Sequence, residues 1–94
     1  MKPAPDAYLR AARVVGQPPR SCVAVEDSST GVRAAVAAGF GHVLGVVNSG
    51  GDGTREALAK AGASLVFEKT VDAIEWCRMH YIRTEPVPAA APKL

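Results

Sequence analysis

The sequence predicts an α/β domain: a three-layer α/β/α arrangement in which about three parallel strands are joined by crossover helices. Three observations carry this expectation. Short apolar runs, CVAV at Cys22–Val25 and HVLGVV at His42–Val47, alternate with stretches of helical periodicity, and a chain that alternates in this way builds a parallel sheet. Both runs are short and rich in valine, which suits strands buried on both faces. The first run breaks directly into Glu26 and Asp27, followed by Ser28, Ser29, Thr30 and Gly31 and then by the alanine-rich VRAAVAAGF. That order reads as a strand, a tight acidic turn and a helix capped by a hydroxyl residue.

The elements follow in order. The prolines of MKPAP favour a helix start at Pro5 or Asp6. Tyr8, Leu9, Ala12 and Val15 recur at helical spacing, and Gly16 with the Pro18–Pro19 pair ends that helix. The helix after the acidic turn closes at Gly39 as its C′ glycine. The glycine-rich loop Asn48–Gly53, NSGGDG, is assigned turn chemistry and leads into the short helix REALAKA, capped by Thr54 or Asp52 and closed by Gly62. Ser64–Phe67 is a third short strand. Thr70 caps a last helix that places Val71, Ile74, Cys77 and Tyr81 on one face, with Trp76 packing from the same helix. His42 opens its strand with no partner histidine and is read as structural. Residues 1–83 then form the folded part, and 84–94, rich in proline and alanine, a disordered tail. No strand precedes the first helix, and from this a missing upstream segment is expected.

Composition narrows the function. A net charge of +2, with 21% charged residues, gives no ground for binding nucleic acid or a membrane surface. No apolar run approaches the roughly 20 residues that span a bilayer. Cys22 and Cys77 have no metal-type spacing and form no disulfide framework, so two reduced core thiols and a cytoplasmic location are expected.

In an open parallel sheet, ligands bind at the carboxyl ends of the strands. Glu26 and Asp27 project there, two hard oxygen donors suited to Mg²⁺. The bland reading stands beside it: a polar turn whose charges favour a helix N-terminus by about 0.3–1 kcal/mol. Ser28, Ser29 and Thr30 are caps before they are anything else.

KPAPDAYLRAARVVG followed by CVAVEDSSTGVRAAVAAGF resembles the C-terminal part of the haloacid dehalogenase-like superfamily, on its β-phosphoglucomutase-like branch. The likeness runs from about Lys2 to Ile74 and implies a partial Rossmann-like core domain. It further implies Mg²⁺-dependent phosphoryl transfer on a small phosphorylated metabolite, possible sugar phosphates included, as a phosphohydrolase or phosphomutase. Carried over by motif, Lys2 is the catalytic lysine that contacts the phosphoryl oxygens. Asp27 holds the metal, Glu26 binds it or orients its waters, Ser28 fixes the turn and Gly31 lets helix pack closely on strand. The family's nucleophile motif, Asp-x-Asp, is not among the 94 residues, whose aspartates are Asp6, Asp27, Asp52 and Asp72. The resemblance therefore implies the back half of an active site, inactive alone, from a truncated, late-started or split enzyme. Its cap domain, which selects substrate, is not represented either.

Two other readings compete. GGDGT at Gly50–Thr54 resembles the nucleotide-binding signature of diacylglycerol and NAD kinases. A non-catalytic fragment is the other: with a neighbouring strand missing, the edge beside the acidic strand pairs with a second copy or with an absent N-terminal half.

Overall fold

A computed structural model of the chain describes residues 4–49 and 51–80. Its element order is α1 (Asp6–Val15), β1 (Val23–Glu26), α2 (Ser29–Ala37), β2 (His42–Val46), α3 (Arg55–Ala61), β3 (Leu65–Phe67) and α4 (Thr70–His80), with a single 3-10 turn at Pro19–Ser21 between α1 and β1. The three strands form one parallel sheet in the order β1-β2-β3. Val23 lies beside His42 and Glu26 beside Gly45, while Leu44 lies beside Leu65. The expected α/β fold is present. Lys2, Tyr81 and the tail at 84–94 lie outside the described residues.

Alternation along β2 divides the core between the two faces of the sheet. On one face, Ala24 and Val43 pack with Val32 and Ala35 of α2 and Leu58 of α3. Gly45 belongs to this side too, since a Cβ there would lie 3.1 Å from the Cβ of Leu58. On the other face, Leu44 and Val46 pack with Ala73 of α4, flanked by Phe67, Trp76 and Cys77. Helices on both faces make β2 the buried strand of the sheet.

Three expectations are corrected by this geometry. The first strand is not buried on both faces: it runs Val23–Glu26, and Val25 is 39% exposed. Val25 lies beside Leu44 in the ladder, but α4 packs mainly over β2 and β3, so the cover that seals Leu44 reaches Val23 and stops short of Val25. Cys22 accordingly precedes the strand, half-buried, with its Sγ 3.5 Å from the Pro18 carbonyl oxygen; it and Cys77 are free thiols. The face of α1 is also narrower than its spacing predicts. Tyr8 meets Phe40 edge-on at 5.2 Å and Ala12 is buried, whereas Leu9 and Val15 stay exposed. In α4, Val71 and Ile74 face away and the buried side runs through Ala73, Trp76 and Cys77. A small alanine at the contact lets this helix approach the sheet, and the larger residues fall on its flanks. Trp76 packs edge-on against His42 at 5.1 Å and stacks on His80 at 4.5 Å.

Candidate functional site

β1 and β2 are parallel neighbours, so their carboxyl ends emerge side by side. The end of β1 becomes the acidic turn, Glu26–Ser28. The end of β2 becomes the loop that starts at Asn48. Ser28 has extended backbone, and its Oγ accepts a hydrogen bond from the Gly31 N–H at 3.1 Å, the capping geometry that begins α2. Gly39, just beyond α2, adopts φ +83° and turns the chain toward β2.

The two acids have different surroundings. Glu26 is half-buried and its carboxylate lies against Gly31: a Cβ on Gly31 would sit 1.9 Å from Oε1. The close approach that Gly31 allows is therefore to the side chain ending the strand, at the N-terminus of α2. Burial first, and then the neighbouring Asp27 charge, push the Glu26 carboxyl above its ordinary value of 4.5. Asp27 is exposed, and its Oδ2 accepts a hydrogen bond from Asn48 Nδ2 at 3.2 Å.

The loop after β2 touches the turn at further points. The Ser29 N–H donates to the Asp52 carbonyl at 2.9 Å, and Ser29 Oγ donates to Asp52 Oδ2 at 3.3 Å. Gly53 is buried against Asn48 and the Asp27 carbonyl oxygen. Thr54 Oγ1, rather than Asp52, caps α3 by accepting from the Ala57 N–H at 3.1 Å. Asn48, Asp52 and Gly53 thus belong to the same site as Glu26 and Asp27, although the sequence assigns them only a turn. The signal was topological: parallel neighbours β1 and β2 must release their loops at one end of the sheet.

The residues present fit Mg²⁺. That ion takes one or two carboxylates and keeps several waters for itself or for substrate phosphate. Here an exposed carboxylate adjoins a second whose ionisation it disfavours, a donor pair that a divalent cation relieves. Among the described residues, no group of three or more His, Cys, Asp and Glu converges as a metal cage. A two-carboxylate share is what these residues offer. Lys2, the remaining expected catalytic residue, lies outside the described residues. Also among the described residues, no helix is long and apolar enough to cross a membrane.

Comparison with known proteins agrees with this architecture. The family model for haloacid dehalogenase-like hydrolases matches residues 1–39. The β-phosphoglucomutase of Mycobacterium tuberculosis (strain CDC 1551 / Oshkosh) is 38% identical over 65 residues, covering 69% of this chain and 25% of that protein. Hexitol phosphatase A of Escherichia coli (strain K12) is 51% identical over 45 residues, 48% of this chain and 20% of that protein. Among solved structures, a HAD family hydrolase from Deinococcus radiodurans R1, with bound phosphate and sodium, superposes with a TM-score of 0.72 at 34% identity, covering 83% of this chain and 34% of that one. By these matches the chain is similar to the C-terminal part of the haloacid dehalogenase-like superfamily, on its β-phosphoglucomutase-like branch. It spans about a quarter of the length of that β-phosphoglucomutase and a fifth of that of the hexitol phosphatase.

Proposed function

We propose that the acidic turn is the metal-side part of a phosphoryl-transfer site that acts on a small phosphorylated metabolite, a sugar phosphate by analogy with the named relatives, in hydrolysis or in mutase chemistry. The observation that carries this reading is Asp27: an exposed carboxylate at the carboxyl end of a parallel strand, held by Asn48 and adjoining Glu26. Mg²⁺ bound there would neutralise charge on the phosphate oxygens during transfer. Asp27 would contact the ion, and Glu26 would contact it or orient its waters. Ser28, by capping α2, keeps the turn tight. Lys2 would meet the phosphoryl oxygens as a compact positive charge.

These 94 residues contain no Asp-x-Asp pair, and in this reading the nucleophile comes from residues outside them, so the chain by itself does not turn over phosphomonoesters. The test is a chimera in which this chain replaces the matching segment of a β-phosphoglucomutase-like relative. Phosphate release that requires Mg²⁺ and disappears with Asp27→Asn is expected. A chimera equally active with Asp27→Asn would remove Asp27 from the site.

A second reading draws on Val25. Among the described residues β1 pairs with β2 alone, and the exposed side chain of Val25 accompanies that edge. We infer that another strand pairs there, from an N-terminal half or from a second copy. Sedimentation of the chain alone and with the N-terminal part of a relative separates the two: a monomer in both cases contradicts this reading.

A further inference from the structure

The loop Asn48–Gly53 supplies no group to the proposed phosphoryl transfer, yet the structure ties it to the acidic turn at several points. We propose that this loop is a clamp that fixes the direction of the Asp27 carboxylate, with Asn48 as the positioning residue. The proposal rests on the reading of Asp27 as the acting residue.

Five hydrogen bonds carry it. Asn48 Nδ2 donates to Asp27 Oδ2 at 3.2 Å, holding one carboxylate oxygen and leaving Oδ1 to a ligand. The Asn48 N–H donates to the Gly53 carbonyl at 2.8 Å, which closes the loop on itself. The Ser29 N–H donates to the Asp52 carbonyl at 2.9 Å, which fastens the closed loop to the first residue of α2. Ser29 Oγ, on a residue only 6% exposed, accepts from Arg33 Nη1 and donates to Asp52 Oδ2, both at 3.3 Å. Arg33 thus polarises the hydroxyl toward Asp52, a chain of charge-assisted bonds.

Gly53 makes the approach possible. A Cβ there would lie 2.6 Å from Asn48 Cβ and 2.8 Å from the Asp27 carbonyl oxygen. Neither neighbour is the loose end of a long side chain, so a larger residue forces the loop off the turn. An exposed carboxylate otherwise rotates freely about its last torsion and loses that freedom on binding. Fixing one oxygen beforehand reduces that cost.

The test uses NMR on the 94-residue chain, first without metal and then with Mg²⁺ alone. Without metal, Asn48→Ala should shift the Asp27 carboxyl carbon, and Asp27→Asn should shift the Asn48 side-chain amide. Gly53→Ala should do both and speed exchange of the Ser29 N–H by about tenfold, while the capped Ala57 N–H keeps its protection. Asp52→Asn, which retains an acceptor oxygen, should leave the Ser29 signals close to those of the parent. Asp52→Ala should move them. With Mg²⁺, Asn48→Ala and Gly53→Ala should weaken binding by about 2–10-fold, the range for one hydrogen bond.

An Asp27 carboxyl carbon that does not move in Asn48→Ala overturns the clamp, and because Asn48 is exposed this variant decides the matter even if Gly53→Ala fails to fold. Coupling between Asn48 and Asp27 with no Mg²⁺ response at either acid supports the clamp and removes the metal reading instead.

Discussion

β1 and β2 are adjacent parallel strands with similar apolar sequences, and they have opposite fates. β2 is covered by α2 and α3 on one face and by α4 on the other, and Leu44 is fully buried. β1 has its Ala24 side in the core, while on its other side Val23 packs against the Leu44 cluster and Val25 is left exposed. The segments that leave the two strands differ in the same sense. β1 breaks at once into acids, whereas β2 runs into a longer polar loop that folds back over those acids. In the proposed reading the two strands divide the labour: β2 supplies stability, and β1 supplies the position at which the acidic turn is presented.

The contrast is sharpest in truncations. Leu44→Ala should cost about 2–5 kcal/mol, as for fully buried leucines elsewhere, while Val25→Ala, its ladder neighbour, should cost less than about 1 kcal/mol. Urea denaturation of both variants checks it. Equal costs would mean that something covers Val25 in solution, as a pairing strand would.

Gly45 offers the next largest effect. Its space is taken by Leu58, at 3.1 and 3.2 Å from a would-be Cβ. Gly45→Val should therefore overpack the face shared with α3 and cost about 1–3 kcal/mol. The thermal midpoint reads this directly. An unchanged midpoint would show that α3 yields more easily than its packing implies.

Much of this was legible in the sequence, for identifiable reasons. The strand–turn–helix of residues 22–39 announces itself because each signal there is local: valines, then acids, then a capping serine, then a glycine. Ser28 caps α2 and Thr54 caps α3 by the same local chemistry. What the sequence misassigned depends on neighbours that it does not name. Val25 and Leu44 are equally apolar, and only the position of α4 separates them. Helical spacing puts Val71, Ile74, Cys77 and Tyr81 on one face of α4, but the contact runs through Ala73, because smallness decides how closely a helix approaches a sheet. Asn48, Asp52 and Gly53 gave ordinary turn signals, and their tie to the acidic turn is a matter of strand order. Lys2 came from motif alone.

Gly31→Ala probes the turn with a smaller effect on stability. The new Cβ would displace the end of the Glu26 side chain, a flexible group that can yield, and alanine gains up to about 1 kcal/mol of helix propensity in partial compensation. Stability should change by less than about 1 kcal/mol, while the Glu26 carboxyl carbon shifts clearly in the NMR spectrum. A stationary Glu26 signal would contradict the placement of its carboxylate against Gly31.

The pH dependence is subtler still. Folding holds the Glu26 carboxyl above its ordinary 4.5, so the folded chain binds that proton more tightly than the unfolded one. The stability linked to it is complete below 4.5 and declines as pH rises through the higher folded value. Glu26→Gln should flatten that decline when stability is measured as a function of pH without metal. A curve as steep as the parent's would assign the decline to another group.

The most direct test of the central claim is a Mg²⁺ titration of the chain and of its Asp27→Asn variant, followed through the backbone amides of residues 26–31, 48–49 and 51–53. Saturable shifts in both segments of the parent chain, absent at α4 and lost in Asp27→Asn, are the predicted result. Identical responses in the two proteins, or none in either, would contradict the assignment of the acidic turn as a metal site.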